Sequence, residues 1–135
     1  MTVWRPVDAP KGGALEQAKT SDGRTTLRIS AGPVTSASWR AKVLLIAGSY
    51  RFEGAVRTAA VQPLAYGKNK GAGLRVSTAK LAAPHQIIGD SPWKDLKVEF
   101  ELSAPETDVE LLCELRASAG EAWFDAESLR LVRLK

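Results

Sequence analysis

The sequence has few side chains of the types and spacing that catalysis requires. His85 is the only histidine, and no serine or acid lies at a recognisable motif spacing from it. Without a nucleophile–base pair, its ordinary role is that of a surface loop residue. Glu99 and Glu101 share one face of an alternating run, which is typical of a solvated strand face and not of an acid–base couple. We therefore expect no catalytic residues and no enzyme activity.

One thiol and one carboxylate are the next candidates for chemistry. Cys113 is the only cysteine, so it cannot form an internal disulfide, and with a single histidine it cannot complete a zinc site. It shares a period-two apolar face with its neighbours, which predicts a buried, inert thiol. Asp125 interrupts the apolar closing run, and a buried carboxylate is costly unless it is paired, hydrogen-bonded or bound to a metal. A hydrogen bond to the backbone of a neighbouring strand and an ion pair with an arginine both remain open.

The aromatic side chains divide between packing and exposure. Trp39 and Trp123 adjoin strand-like runs, so we expect them to pack in the interior. Trp93 directly follows a loop at residues 89–92, and a core position or a rim position suits it equally. Tyr66 lies next to a glycine in a loop and is the aromatic residue most open to solvent. Tyr66 is therefore the aromatic side chain best placed to stack on a ligand.

The elements that must position these residues are strands, because the dominant hydrophobic period is two. This period is typical of antiparallel strands with one face in the core and one in water. No segment shows a sustained helical period, although residues 14–19 could form a helical turn. About seven or eight short strands at this spacing predict an all-β protein, an antiparallel β-sandwich or jelly roll. The segments that alternate are residues 26–30, 50–58, 72–77, 96–102 and 109–115.

Length and composition fit one ordinary globular domain. A chain of 135 residues with 44% hydrophobic and 25% charged residues predicts a single domain over residues 1–135. The net charge of +4 is scattered and forms no basic block, so we expect no nucleic-acid partner. No apolar run is long enough to span a membrane, and the N-terminus lacks the apolar core of a secretory signal. We expect a module excised from a larger multidomain protein, with other domains of that chain as partners.

Four segments in a fixed order carry a family resemblance. They are residues 48–58, 71–76 and 92–100 and the closing Trp123-Phe124-Asp125. Together they resemble carbohydrate-binding modules of the galactose-binding-domain-like jelly-roll type, similar to modules appended to xylanases and glucanases. The similarity covers Thr25 to Leu134. It implies a non-catalytic module, extracellular or on the cell surface, that binds a polysaccharide or glycan through the concave face of one sheet or through rim loops.

The resemblance also implies a set of site residues. By analogy, residues 50–58, 72–77 and 109–116 share the concave sheet. Many such modules carry a structural calcium, and Asp125 is the candidate metal ligand. The candidate ligand-binding residues are Tyr66, Trp93, Arg57, Arg75 and Glu114.

One departure from the resemblance supports a different function. Ala55 stands where sugar-binding relatives often carry an aromatic platform, and the proposed concave face is rich in charge. Its charged residues could form a cross-strand ladder on a solvated face, which stabilises modestly. The alternative is therefore a structural or interaction β-sandwich domain that spaces or docks neighbouring domains and has no sugar ligand. The ladder would consist of Arg57, Arg75, Glu114 and Arg116.

Overall fold

The structure is a computed structural model that describes residues 4–7, 12–21, 23–63, 71–77 and 87–134. Every regular element within these residues is a β-strand. No helix in the described residues has the length and hydropathy that crossing a membrane requires. The strands are β1 (Arg5–Val7), β2 (Ala14–Lys19), β3 (Thr25–Ser30), β4 (Thr35–Pro63), β5 (Gly71–Val76), β6 (Gly89–Asp125) and β7 (Arg130–Arg133).

The first hairpin, β2 to β3, excludes the helical turn that the sequence leaves possible at residues 14–19. This segment is a strand that pairs with β3 along its whole length, from Ala14 opposite Ser30 to Lys19 opposite Thr25. A full ladder of backbone hydrogen bonds outweighs the weak helix propensity of six residues. Gly23 closes the turn with a φ of +85°, in the left-handed region that glycine adopts at little cost.

Strands β4 and β6 are long, and each bends between two layers. Residues 35–46 of β4 lie opposite residues 117–106 of β6, so the partner number falls as the strand number rises and the pairing is antiparallel. The register then shifts at residue 47 of β4 and residues 103–105 of β6. Beyond the shift, residues 48–56 of β4 lie opposite residues 102–94 of β6, again antiparallel.

The bends divide the strands into two packed sheets, which we call sheet one and sheet two. Neighbours in sheet one follow the order β2, β3, residues 119–125 of β6, residues 48–63 of β4 and residues 89–102 of β6, with β7 beside residues 50–53. Neighbours in sheet two follow the order β1, residues 35–46 of β4, residues 106–117 of β6 and β5.

The core lies between the sheets and confirms the period-two alternation. Cys113 is fully buried, and burial raises the pKa of its thiol. Trp39 is buried as predicted, and its indole N–H crosses the core to donate to the carbonyl of Arg28 at 3.2 Å. The fold is therefore an all-β, antiparallel jelly-roll sandwich, as the sequence indicates. Core residues from both sheets include Leu27, Phe52, Val56, Leu74, Leu115 and Phe124.

The assignment of residues 50–58 to the sheet of residues 72–77 and 109–116 is wrong. β5 does pair with residues 111–116 of β6, but the other neighbour of that segment is the first half of β4. Residues 50–58 belong to sheet one. The outward side chains of residues 50–58 therefore lie on one face of the sandwich. Those of residues 72–77 and 109–116 lie on the opposite face.

Candidate ligand-binding face

The outer face of sheet one holds an aromatic side chain stacked with a cation. Trp123 lies between Ala122 and Phe124, both fully buried, so its own side chain points away from the core. Arg57 is its cross-strand partner on β4. The guanidinium carbon of Arg57 lies 4.7 Å from the ring centroid of Trp123, within the range of a cation–π contact. The prediction that Trp123 packs in the interior is thus wrong, because its strand turns it outward, where it is half-buried.

A bulge places Trp93 beside this pair. Thr58 lies opposite Ser91 and Val56 opposite Lys94, so residues 92 and 93 of β6 together face the single residue Arg57. Two residues opposite one define a β-bulge, which bends the strand and re-aims side chains. Pro92 suits the bulge because it has no N–H to donate to the ladder. Trp93 is half-buried there, with the Arg24 guanidinium 5.7 Å from its ring centroid.

The contact between Arg24 and Trp93 spans two intervening strands. Arg24 precedes β3, whereas Trp93 is on the strand beyond β4, so both side chains must extend across the outer face to meet. Asp125 and Ala55 lie on those two intervening strands, and they retain only 5% and 7% of their exposure. Ala55 thus lacks an aromatic ring of its own but is covered on this face. We call Arg24, Arg57, Trp93 and Trp123 the aromatic–arginine cluster.

Asp125 forms an ion pair and a local hydrogen bond. Its Oδ2 atom lies 3.1 Å from Nη1 of Arg24, and its Oδ1 atom accepts the backbone N–H of Glu127 at 3.0 Å. The arginine interpretation is therefore confirmed. The backbone partner is the following turn and not a neighbouring strand.

Calcium at Asp125 stays a prediction, and the described residues do not fit such a site. Both carboxylate oxygens are already engaged by Arg24 and Glu127. Calcium takes six to eight oxygen ligands. Among the residues that the structure describes, no group of three or more acidic, histidine or cysteine side chains converges on one point.

A polar cleft adjoins the cluster on the same face. The cleft has a volume of about 410 Å³. Glu53, at its floor, accepts hydrogen bonds from Arg130 and from Arg51. The hydrogen bond from Arg130 lowers the pKa of the Glu53 carboxyl, against the desolvation that raises it, and the charge of Arg51 adds to the lowering. The lining residues are Arg51, Glu53, Gly54, Asp95, Lys97, Ser128 and Arg130.

The sequence predicts this cleft only in part. Alternation along residues 50–58 turns Arg51 and Glu53 outward, but it does not show that Arg130 reaches them. That contact depends on the antiparallel pairing of β7 with residues 50–53 of β4.

Two other predicted ligand-binding residues, Arg75 and Glu114, lie on the opposite face, in sheet two. Arg75 donates to one oxygen of Glu114 from Nη2 at 2.9 Å and from Nε at 3.3 Å, and Nε of Arg116 lies 3.3 Å from the other oxygen. Glu114 is only 5% exposed. The predicted ladder is therefore present without Arg57, which lies on the other sheet. Tyr66 lies outside the described residues.

Comparisons with known proteins bear on the fold. No protein-family model matches the sequence, and no curated protein matches it. Among solved structures, the chain is similar to a family 61 carbohydrate-binding module in complex with β-1,4-galactotriose, at 14% identity and a TM-score of 0.55 over 97% of this chain and 88% of that one. It is also similar to a family 4 carbohydrate-binding module, at 13% identity and a TM-score of 0.58 over 91% and 79% of the two chains. The chain therefore has the jelly-roll fold of these carbohydrate-binding modules.

Proposed function

We propose that this chain is a non-catalytic carbohydrate-binding module that binds a polysaccharide or oligosaccharide on the outer face of sheet one. The observation that carries the proposal is the presence, on one face, of the aromatic–arginine cluster and the polar cleft. Binding sites combine apolar or aromatic walls with a few convergent polar groups. Here Trp93 and Trp123 supply the walls, and the cleft supplies charged donors and acceptors for hydroxyl groups.

The spacing along β4 favours a chain of sugars over a single ring. Glu53, Ala55 and Arg57 are alternate residues of one strand, all turned to the outer face. Alternate residues of a strand are about 7 Å apart, so Glu53 and Arg57 are separated by roughly 13 Å. A ligand that touches both the cleft and the cluster must therefore extend along β4.

The charge state of Glu53 argues against glycoside hydrolysis in the cleft. Glycosidases need a carboxylic acid whose pKa is raised, so that it can protonate the leaving oxygen. The two arginines lower the pKa of Glu53, which keeps it ionised. A binding role thus suits this carboxylate better than that of a general acid. As a module of this kind it would act outside the cell or on its surface, beside other domains of its parent chain.

Isothermal titration of the purified chain against β-1,4-galactan, xylan, mixed-linkage glucan and galacturonan oligosaccharides tests the proposal. We expect at least one of them to bind, and Lys97→Ala to weaken that binding several-fold, because Lys97 is an exposed cleft residue whose loss leaves the core intact. Leu44→Ala is the control, since Leu44 is 63% exposed on the opposite face. The proposal fails if no glycan binds, or if both variants weaken binding equally.

A structural or interaction domain without a sugar ligand is the second candidate. It is supported by Leu44 and Ile46, which are 63% and 51% exposed on the outer face of sheet two. Exposed apolar side chains that cluster mark contact surfaces in many proteins. Absence of glycan binding across the panel would favour this candidate over the first.

A further inference from the structure

Arg57 differs from every other arginine of the described residues. Each of the others forms an ion pair or a hydrogen bond with another described residue. Among the described residues, the guanidinium of Arg57 has no ion pair or hydrogen bond; it lies against the ring of Trp123, and the side chain is exposed. Its charge and its hydrogen-bond donors are thus unused by the described part of the chain.

The other arginines of this face are each paired with an acid. Arg24 is paired with Asp125, and Arg28 with Glu121 at 3.0 Å. In the cleft, Glu53 is shared by two arginines, while Lys97 and Asp95 bring opposite charges to the same lining. Among the arginines on this outer face, Arg57 is therefore the one that no described carboxylate offsets, and it lies between the two tryptophans.

The ring of Trp123 holds this guanidinium in a defined place. A guanidinium on an aromatic face keeps its N–H donors at the edge of its plane, and these donors match the two oxygens of a carboxylate or a sulfate. Because stacking has already reduced the freedom of the side chain, less entropy is lost when an anion binds. On the other neighbouring strand, the bulge places Pro92 and Trp93 together opposite Arg57.

We propose that the glycan bound by this face carries an anionic substituent, a carboxylate or a sulfate ester, and that Arg57 binds it while Trp93 contacts the adjacent ring. This inference rests on the proposed function and specifies the ligand class. Charge-assisted hydrogen bonds are about twice as strong as neutral ones, so an acidic sugar should bind at this position more tightly than its neutral counterpart.

The test compares three oligosaccharides of similar length at constant ionic strength. They are neutral β-1,4-galactan, galacturonan as the carboxylate probe and a sulfated galactan as the sulfate probe. We expect one of the anionic probes to bind about tenfold more tightly than the neutral one. Which of the two binds more tightly identifies the substituent.

Variants separate Arg57 from the general positive charge of the chain. Arg57→Gln removes the charge, and we expect it to weaken binding of the anionic probe much more than binding of the neutral one, so that the tenfold preference is lost. Arg57→Lys keeps the positive charge but loses the paired N–H donors of the planar guanidinium, so it should retain part of the preference. Lys42→Gln is the matched control, because it removes one exposed charge from the outer face of sheet two. It should leave all three affinities unchanged.

The possible failures are distinguishable. If neutral and anionic probes bind equally, or if Arg57→Gln weakens both alike, Arg57 only supports Trp123 and the inference is overturned while the proposed function stands. Equal losses in Arg57→Gln and Lys42→Gln would mean non-specific attraction of polyanions, which also overturns it. If no glycan binds at all, the proposed function itself fails and the inference falls with it.

Discussion

Glu114 is as enclosed as Asp125, the other buried charge of the described residues, and its enclosure is structural. Two arginines neutralise it on the outer face of sheet two, while their own side chains keep 28% and 29% exposure. Removing one partner of a buried ion pair leaves an uncompensated charge, which costs 3–5 kcal/mol where all partners are buried. The partial exposure of both arginines places this case near the lower end of that range.

We predict that Glu114→Ala lowers the free energy of unfolding by about 3 kcal/mol, measured by urea denaturation. Glu110→Ala is the matched control on the same strand. Glu110 also contacts two arginines, Arg5 and Arg40, but its side chain is 26% exposed, so its loss should cost about 1 kcal/mol or less. Similar costs for the two variants would show that burial does not set the value of the Glu114 pair.

Glu53 predicts a pH dependence of stability. Its pKa is lowered in the folded state, chiefly by the hydrogen bond from Arg130 and also by Arg51. A lowered pKa stabilises the fold above the ordinary glutamate pKa of about 4.3, and this contribution is lost as the pH falls through the folded-state pKa. We therefore expect wild-type stability to fall below pH 4.3 more steeply than that of Glu53→Gln.

Melting temperatures between pH 6 and pH 3 measure this difference. Glu99→Gln, at an exposed position of β6, is the control and should follow the wild type. Parallel acid profiles for wild type and Glu53→Gln would contradict the prediction.

At the scale of elements, the bend in β6 between residues 106–117 and residues 119–125 depends on Gly120. Its φ is +103°, and a Cβ atom there would lie 2.5 Å from the carbonyl oxygen of Ala60 and 2.5 Å from the Cα atom of Val61. Both obstacles are backbone atoms, so no side chain can move aside. Gly120 thus fixes how residues 119–125 enter sheet one beside β4.

We predict that Gly120→Ala destabilises the protein by about 3 kcal/mol or more, because left-handed strain and a backbone clash add. Gly23→Ala is the control. Its φ of +85° carries the same strain, but no atom lies within 4 Å of the added Cβ, so about 1 kcal/mol is expected. Equal effects in chemical denaturation would show that the close approach to β4 is not limiting.

The sequence predicts well which face of each strand is buried, but it predicts poorly which strands lie side by side. Period-two alternation identified the buried sides of residues 50–58 and 109–115, because this signal is local. It could not show that residues 50–58 join sheet one, because alternation is the same whichever strand lies alongside. The sequence indicates Arg57 and Trp93 as separate candidates. Their meeting with Trp123 depends on the register of β4 and β6 and on the bulge, which no local pattern specifies.

At the scale of the whole molecule, calcium dependence is the property that the jelly-roll resemblance predicts and the described residues do not support. A metal that binds only the folded state raises the melting temperature by mass action. Because Arg24 and the Glu127 amide already satisfy Asp125, we expect the melting temperature to change by less than about 1 °C between chelator and added calcium. An upward shift of several degrees with calcium, lost in Asp125→Asn, would restore the metal at this residue.

The route of β4 and β6 through both sheets has a consequence for how the chain folds. Thr35 pairs with Ala117, and β3 pairs with residues 121–125, so both sheets are closed by contacts between distant parts of the sequence. Such non-local pairing costs loop-closure entropy before any stabilising contacts form. Folding on the millisecond-to-second scale is typical of such topologies. During synthesis, sheet one lacks its central strand until residues 119–125 emerge, because they pair with both β3 and β4. The nascent chain therefore exposes two unpaired strand edges until almost all of this domain has been made.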